Sequence, residues 1–204
     1  MNKSLAFLFL LLICPALSFS ETRDIYYEEA SGISYTLRYD FLKKLSSAKA
    51  VHSNSSEKVF EKGEWNEDKA RFEFFELGEE NALLVAKERF KAVEHEGIKI
   101  QVRHGIHKVL EFDQVPPAQF LMVSYGVPDS AYSKENMAFS YIRIWAGGHL
   151  LKRIRLRHEP GWFHEQVDLG VGSFLNEPYR IAFDIITDAS DRYETIYLSA
   201  FSVI

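Results

Sequence analysis

The stretch that decides the fold is FSYIRIWA-GG-HLLKRIRLR, residues 139–157. Apolar and polar side chains alternate on both arms, which is the period of a half-buried β-strand. The central pair Gly147-Gly148 suits a two-residue hairpin turn, because both central residues of that turn adopt positive φ. The stretch therefore predicts an antiparallel hairpin with one face turned to a core.

The register of this hairpin decides where its arginines lie. A two-residue loop gives one face of six apolar side chains, in the pairs Trp145 with Leu150, Tyr141 with Ile154, and Phe139 with Leu156. Arg153 and Arg155 then point to the opposite face. We expect this register because it gives the cleaner core. A loop one residue longer instead places Tyr141, Arg143 and Trp145 beside Arg153 and Arg155. The result is an aromatic and cationic strip able to bind an anionic glycan.

Residues 98–204 continue as short strand candidates separated by turns that contain Gly, Pro or Asp. The predicted strands are Ile98–Val102, His107–Phe112, Gln119–Tyr125, Ala138–Ala146, Leu150–Arg157, Phe163–Leu169, Pro178–Ile186 and Tyr193–Val203. A series of short strands of this kind indicates an all-β fold, a sandwich or a barrel, and the many aromatic side chains can fill the space between two sheets packed face to face.

Residues 21–97 are more polar and less regular. Ile33–Tyr39 and Ala70–Phe75 are aromatic strand candidates, and Ser53–Lys62 has the composition of a polar loop. Asn81–Val93 fits an amphipathic helix or a strand, and we favour a strand or an irregular segment that continues toward Ile98. We expect this zone to add strands and loops to the same sandwich, so that residues 21–204 form a single domain whose regular strands lie at 98–204.

The first twenty residues have the pattern of a cleaved signal peptide. Lys3 precedes the apolar run Leu5–Ile13, which at nine residues is shorter than a bilayer span. We expect cleavage after Ser20 and a secreted or periplasmic product without a transmembrane segment. Cys14 is the only cysteine, and bulky Ile13 before it argues against a lipoprotein. The formal net charge of −5 excludes a strongly basic nucleic-acid binder.

Several short segments between residues 96 and 204 form a series: Gly97-Ile98, His104-Gly105, Leu110-Glu111-Phe112, Val115-Pro116, Leu121–Gly126, Asp129-Ser130-Ala131, Glu159-Pro160-Gly161-Trp162, Val167-Asp168-Leu169 and Phe183-Asp184-Ile185, with a last strand at Ile196–Val203. This series resembles the galactose-binding-like jelly-roll modules of bacterial extracytoplasmic proteins, including carbohydrate-binding modules. The resemblance implies a two-sheet antiparallel β-sandwich with a jelly-roll core at 98–204. In some members of the family it also implies non-catalytic binding of carbohydrate. It transfers no ligand residue, because the motifs are structural.

Antiparallel succession of the strands would bring alternate loops to one end of the sandwich. The candidate ligand-binding residues in those loops are Arg103, His104, Asp129, Asn136, His158, Trp162 and Arg192, with Tyr132 nearby. A tryptophan among amide, carboxylate and guanidinium groups suits sugars, since the ring stacks on CH faces while polar groups bond hydroxyls. The structural alternative is that Trp162, after Pro160-Gly161, plugs the end of the core.

Other chemistry has weaker signals. Asp188 and Asp191, with Asp184, are candidate ligands of a structural calcium ion, which related jelly rolls often hold, although plain turns also use aspartate. His104 and His107 lack a further metal ligand at a suitable spacing. The sequence has no nucleophile elbow and no zinc-binding helix motif.

We therefore expect no catalytic residues and no cofactor other than that calcium. The first hypothesis is a module that binds carbohydrate or cell-envelope polysaccharide. The second is an envelope protein that binds another protein and has no sugar affinity, which a flat apolar patch would favour. A jelly-roll hydrolase or lyase is a weaker third, which an open aromatic cleft with clustered carboxylates or basic groups would favour.

Overall fold

A computed structural model describes residues 25–28, 33–54, 59–75, 81–129, 139–157, 159–170, 177–188 and 194–204. The expected signal peptide, residues 1–20, lies outside this part of the chain. The strands that the structure describes are β1 (Ile25–Glu28), β2 (Ile33–Asp40), β3 (Lys49–Asn54), β4 (Val59–Lys62), β5 (Glu64–Asn66), β6 (Arg71–Glu73), β7 (Leu83–Phe90), β8 (Val93–Val102), β9 (Ile106–Val115), β10 (Phe120–Val127), β11 (Ser140–Ala146), β12 (His149–Arg155), β13 (Gly161–Asp168), β14 (Tyr179–Thr187) and β15 (Glu194–Val203).

Strands β8 to β15 form a jelly roll. They pair in the order β8-β15-β10-β13 in one sheet and β9-β14-β11-β12 in the other, and every neighbouring pair is antiparallel. Apart from the β11–β12 hairpin, each successive strand crosses to the opposite sheet, which is double Greek-key connectivity. The expected all-β, two-sheet antiparallel sandwich is confirmed. Its strands lie close to the predicted bounds, except that β8 begins at Val93, five residues before the predicted start at Ile98.

The earlier strands extend both sheets. β3 pairs with β9, and β4 pairs with β3, at one edge of the second sheet. In the first sheet β7 pairs with β8, while β2 pairs with the last residues of β15. Ser53–Lys62 was expected to be a polar loop, and this was wrong at both ends, where it contributes to β3 and β4. Polar composition indicated an exposed loop, but the polar side chains of His52 and Asn54 in β3 are buried.

The core lies between the sheets and follows the alternation of the strands. Phe41, from the turn after β2, packs edge-to-face on Phe112 at 4.9 Å and on Phe183 at 5.2 Å between ring centroids. The surrounding buried side chains are contributed by both sheets, among them Ile98, Ile100, Leu121, Val123, Ile142, Ile144, Ile185, Ile196 and Leu198. This packing fixes which face of every jelly-roll strand points outward.

The β11–β12 hairpin differs from the expected register. Trp145 pairs with Leu150 across the two-glycine turn, but one extra residue then shifts the pairing, so that Tyr141 lies opposite Arg155. The extra residue, Leu151, is a β-bulge. The prediction that Trp145, Tyr141 and Phe139 form the core face was therefore wrong. Alternate residues of β11 fill the core instead, and the aromatic side chains lie outside with the arginines; the buried residues are Ile142, Ile144 and Ala146.

Candidate functional site

Four connections of the jelly roll leave from the same end of the sandwich, which we call the loop end. Val102 at the end of β8 pairs with Glu194 at the start of β15. Val127 at the end of β10 pairs with Gly161 at the start of β13. The start of β11 likewise pairs with the end of β14. The strand directions thus carry the loops after β8, β10, β12 and β14 to one surface.

Trp162 lies at the loop end, on the outer face of the first sheet. Its neighbour Phe163 packs against the core, so strand alternation turns Trp162 outward. The indole stacks on the imidazole of His95 with ring centroids 5.0 Å apart and planes 8° from parallel. Phe90 supports it at 4.9 Å. Trp162 is partly exposed and lies outside the two buried hydrophobic clusters, so it does not plug the core.

The tip of the β7–β8 hairpin holds this arrangement together. The backbone N–H of Lys91 at the tip donates to the carboxylate of Asp129 at 3.3 Å. Phe90 lies across β10 at Gly126, where a Cβ atom would come within 2.8 Å of its ring. Glycine is therefore required at position 126 for the hairpin to lie this close. The hairpin thus joins Asp129 and Trp162 into one surface.

Histidines line the same face of the sheet. Burial and the positive charge of His164 lower the pKa of His95 below its ordinary value of 6.5, so His95 is neutral at neutral pH. His164 Nδ1 lies 2.8 Å from the hydroxyl oxygen of Ser124, a hydrogen-bonded pair whose donor depends on the tautomer. The stacked His95–Trp162 pair is therefore an uncharged aromatic platform at neutral pH.

The predicted site residues divide into three groups. Asp129 and Trp162 lie beside the hairpin tip, as described. Arg103 and His104 form the β8–β9 turn at the same end; His104 is exposed, and Arg103 lies near enough to lower the pKa of His52. Three predicted residues lie outside the described part of the chain: Asn136, His158 and Arg192, as does Tyr132. The binding role of all seven stays a prediction.

Sequence reasoning missed His95, Phe90 and Lys91. The sequence favoured a strand or irregular segment at Asn81–Val93 and a strand from Ile98, but it did not predict the turn between β7 and β8. Nothing in the pattern indicated that this hairpin would cross the ends of β10 and β13. This contact joins residues about 30 to 70 positions apart, and periodicity reports only local structure.

The candidate calcium ligands that the structure describes have other partners. The carboxylate of Asp184 pairs with Arg143, and that of Asp188 accepts the backbone N–H of Phe139. Asp191 lies outside the described residues. No three His, Cys, Asp or Glu side chains within the described ranges converge so as to hold a metal ion. Calcium at Asp188 and Asp191 stays a prediction.

The outer face of the second sheet carries a second feature, the arginine strip, defined as Phe139, Tyr141, Arg143, Trp145, Arg153 and Arg155. The Arg153 guanidinium lies 3.8 Å from the Tyr141 ring centroid, and that of Arg155 lies 3.9 Å from the Phe139 centroid. A depression of about 400 Å³ lies at its loop-end side, lined by Phe139, Arg155, Leu156, Arg157 and Glu159.

A larger depression of about 540 Å³ lies over β4 to β6, with clustered carboxylates and aromatic rings; its lining residues are Glu61, Lys62, Glu64, Trp65, Asn66, Glu73 and Phe75. Hydrogen bonds from Arg71, Lys69 and Asn66 lower the pKa of Glu73 to about 2. A general acid of a glycosidase needs a raised pKa, so Glu73 is unsuited to donate the proton.

Within the described residues, no helix has the length and apolar character needed to cross a bilayer. No family model matches the chain. No curated protein sequence matches it significantly.

Solved structures similar to this chain include carbohydrate-binding modules. One, of carbohydrate-binding modules from the β-sandwich superfamily, has a TM-score of 0.49 and 13% identity, covering 88% of this chain and 71% of that one. The tandem CBM51 modules of a family 98 glycoside hydrolase from Streptococcus pneumoniae give 0.44 and 10%, covering 68% of this chain but only 43% of theirs. A CBM51 module from Clostridium perfringens in complex with methyl-galactose gives 0.37 and 6%, covering 58% and 81%.

These modules belong to the class that the sequence resembled. Each of these TM-scores is below 0.5, so the fold is assigned from this protein's own strand pairing.

Proposed function

We propose that this protein is a non-catalytic carbohydrate-binding module that acts outside the cytoplasm and binds sugar at the loop end. The observation that carries the proposal is the partly exposed Trp162 ring at the end where four loops leave the sandwich. Its orientation is fixed by contacts with His95 and Phe90. A fixed aromatic plane offers a large contact area with little loss of side-chain entropy on binding.

Polar groups at the loop end supply the hydrogen bonds that a sugar needs. Asp129 is exposed and uses one carboxylate oxygen for Lys91. Its other oxygen can accept a hydrogen bond from a sugar hydroxyl. The exposed His104 in the β8–β9 turn can donate or accept a hydrogen bond. Loops on a rigid sandwich are a common place for binding residues. Export is supported by the signal-like pattern of residues 1–20.

The test is binding of the purified protein to an immobilised panel of neutral and charged glycans. We expect at least one neutral glycan to bind, and Trp162→Ala to weaken this binding at least tenfold while Trp162→Phe keeps part of it. Trp145→Ala, on the opposite sheet, is the matched control and should bind neutral glycans like the wild type. Near-UV circular dichroism establishes that each variant is folded.

Full binding by folded Trp162→Ala would overturn the loop-end site. Failure of the wild-type protein to bind any glycan, with or without calcium, would overturn the carbohydrate function and favour an envelope protein as partner. Mass spectrometry of the exported protein tests the location, since cleavage after Ser20 leaves Glu21 as the first residue.

A further inference from the structure

We infer that the arginine strip is a second binding surface, separate from the loop end, that takes an anionic polysaccharide. The surface lies on the outer face of the second sheet, whereas Trp162 lies on the outer face of the first. It is made by the bulge at Leu151, which places Arg153 and Arg155 on the same face as Tyr141 and Phe139.

Within the described part of the chain, the two central arginines have no acidic partner. Among the residues that the structure describes, Arg153 and Arg155 make no hydrogen bond or ion pair; each exposed guanidinium lies over an aromatic ring. Stacking fixes the plane of the guanidinium and leaves its N–H donors directed outward at its edge. Such a fork matches a carboxylate, sulfate or phosphate group by two parallel hydrogen bonds.

Two other arginines, Arg143 within the strip and Arg157 beside it, have acidic partners. Arg143 is ion-paired with Asp184, and its guanidinium lies 3.5 Å from His107 Nδ1. Arg157 lies 3.8 Å from Glu159 and 4.9 Å from the centre of the Phe163 ring. Unneutralised positive charge is therefore concentrated at Arg153 and Arg155, in a chain whose net charge is −5.

The shape of the strip favours an extended polymer as its occupant. Arg153 and Arg155 are two residues apart on β12, a separation of roughly 7 Å along a strand. The partly exposed ring of Trp145 continues the same line toward the hairpin turn. A charged polysaccharide offers repeated anionic groups for the arginines and the CH face of a sugar ring for Trp145. An acidic peptide offers the charges but no regular succession of such faces.

The test measures binding to polygalacturonate, which carries carboxylates, to dextran sulfate, which carries sulfates, and to uncharged dextran. We expect the purified protein to bind at least one of the two anionic polymers but not dextran, and to bind more weakly as salt is added. The double variant Arg153→Gln/Arg155→Gln should lose at least tenfold in affinity. Lys43→Gln/Lys44→Gln removes the same charge from the turn after β2 and should bind like the wild type.

The variant Tyr141→Ala keeps both charges but removes the ring under Arg153, and it should show an intermediate loss. Equal binding by the arginine double variant and the wild type would overturn the inference, as would no binding to either anionic polymer. If polyglutamate binds as tightly as the polysaccharides and the double variant loses this binding equally, the inferred glycan is wrong and the ligand is an acidic protein. Trp162→Ala should leave polyanion binding unchanged. The experiment therefore distinguishes a failure of the arginine-strip inference from a failure of the loop-end proposal.

Discussion

The guanidinium of Arg153 lies 3.8 Å from the centre of the Tyr141 ring because β12 accommodates one extra residue, Leu151. On the turn side of the bulge, Trp145 pairs with Leu150; beyond it, Ile144 pairs with Lys152. The bulge thus reconciles a two-residue glycine turn with a core face made of isoleucines. Without it, the same turn would place Arg153 and Arg155 against the core.

Deleting Leu151 provides a direct test of this register. Removal of the bulged residue leaves all other observed pairs intact in a regular hairpin, so the protein should fold with its arginine strip in place. The loss of a partly buried leucine should cost about 1 to 2 kcal/mol of unfolding free energy, measured by chemical denaturation. If the hairpin instead had the bulge-free register, the deletion would turn the arginines inward and the variant would fail to fold.

Lys108 gives a pH dependence of stability whose sign can be worked out. Its ammonium is buried in the sandwich, 4.0 Å from the centre of the Phe74 ring, and donates to the backbone oxygen of Asn81 at 3.2 Å. Burial lowers its pKa from 10.5 to about 7, partly opposed by the charge of Glu61. Between those values the unfolded chain binds a proton that the folded protein does not, so stability rises with pH.

Substitution Lys108→Met should therefore stabilise the protein, most strongly at and below pH 7, where the buried amine is charged. The difference in unfolding free energy between variant and wild type should shrink by up to about 1.4 kcal/mol per pH unit between pH 7 and pH 10. Urea denaturation at several pH values measures it, with exposed Lys44→Met as the control. Parallel profiles for wild type and Lys108→Met would contradict the assignment.

Gly126 should be intolerant of even a methyl group. A Cβ atom there would lie 2.5 Å from the carbonyl oxygen of Gly161 and 2.8 Å from the Phe90 ring. We expect Gly126→Ala to lower the unfolding free energy by about 1 to 3 kcal/mol and to weaken neutral-glycan binding, because the hairpin tip under Trp162 moves.

Gly148→Ala is the matched control for this experiment. Nothing lies within 4 Å of its Cβ position, and only its left-handed backbone, at φ +86°, opposes alanine. It should cost about 1 kcal/mol and leave glycan binding unchanged. If Gly126→Ala binds glycan as tightly as the wild type, the contact between the hairpin and Gly126 does not position the binding site.

The His95–Trp162 stack should give a fluorescence titration. Because the pKa of His95 is lowered, its protonation and the resulting change in Trp162 emission should have a midpoint below pH 6.5. The change should vanish in His95→Ala, which removes the titrating group. It should also vanish in Trp162→Phe, which leaves only Trp65 and Trp145 as emitters. A midpoint at or above 6.5 would show that the imidazole is not held in the stack.

Much of the jelly roll could be predicted because its strands alternate and its turns contain Gly, Pro or Asp. The shared end of the loops followed from antiparallel succession alone. The bulge could not be predicted, because Leu151 is an ordinary strand residue and only packing on Ile142 and Ile144 selects the shifted register. β3 was hidden because His52 and Asn54 are polar yet buried, and burial is set by the β9 strand beside them.

The candidate site was predictable only in part. Trp162 and Asp129 could be placed at one end, but their connection through Phe90, Lys91 and His95 arises from a hairpin distant in sequence. No local pattern encodes such a contact.

The most direct test of the central claim is an amide NMR titration of the protein with the tightest neutral glycan from the panel. Binding at the loop end predicts chemical-shift changes concentrated at His95, His104, Asp129 and Trp162, and none in the arginine strip. Shift changes confined to the arginine strip or to the depression around Trp65, or no change with any glycan, would contradict it.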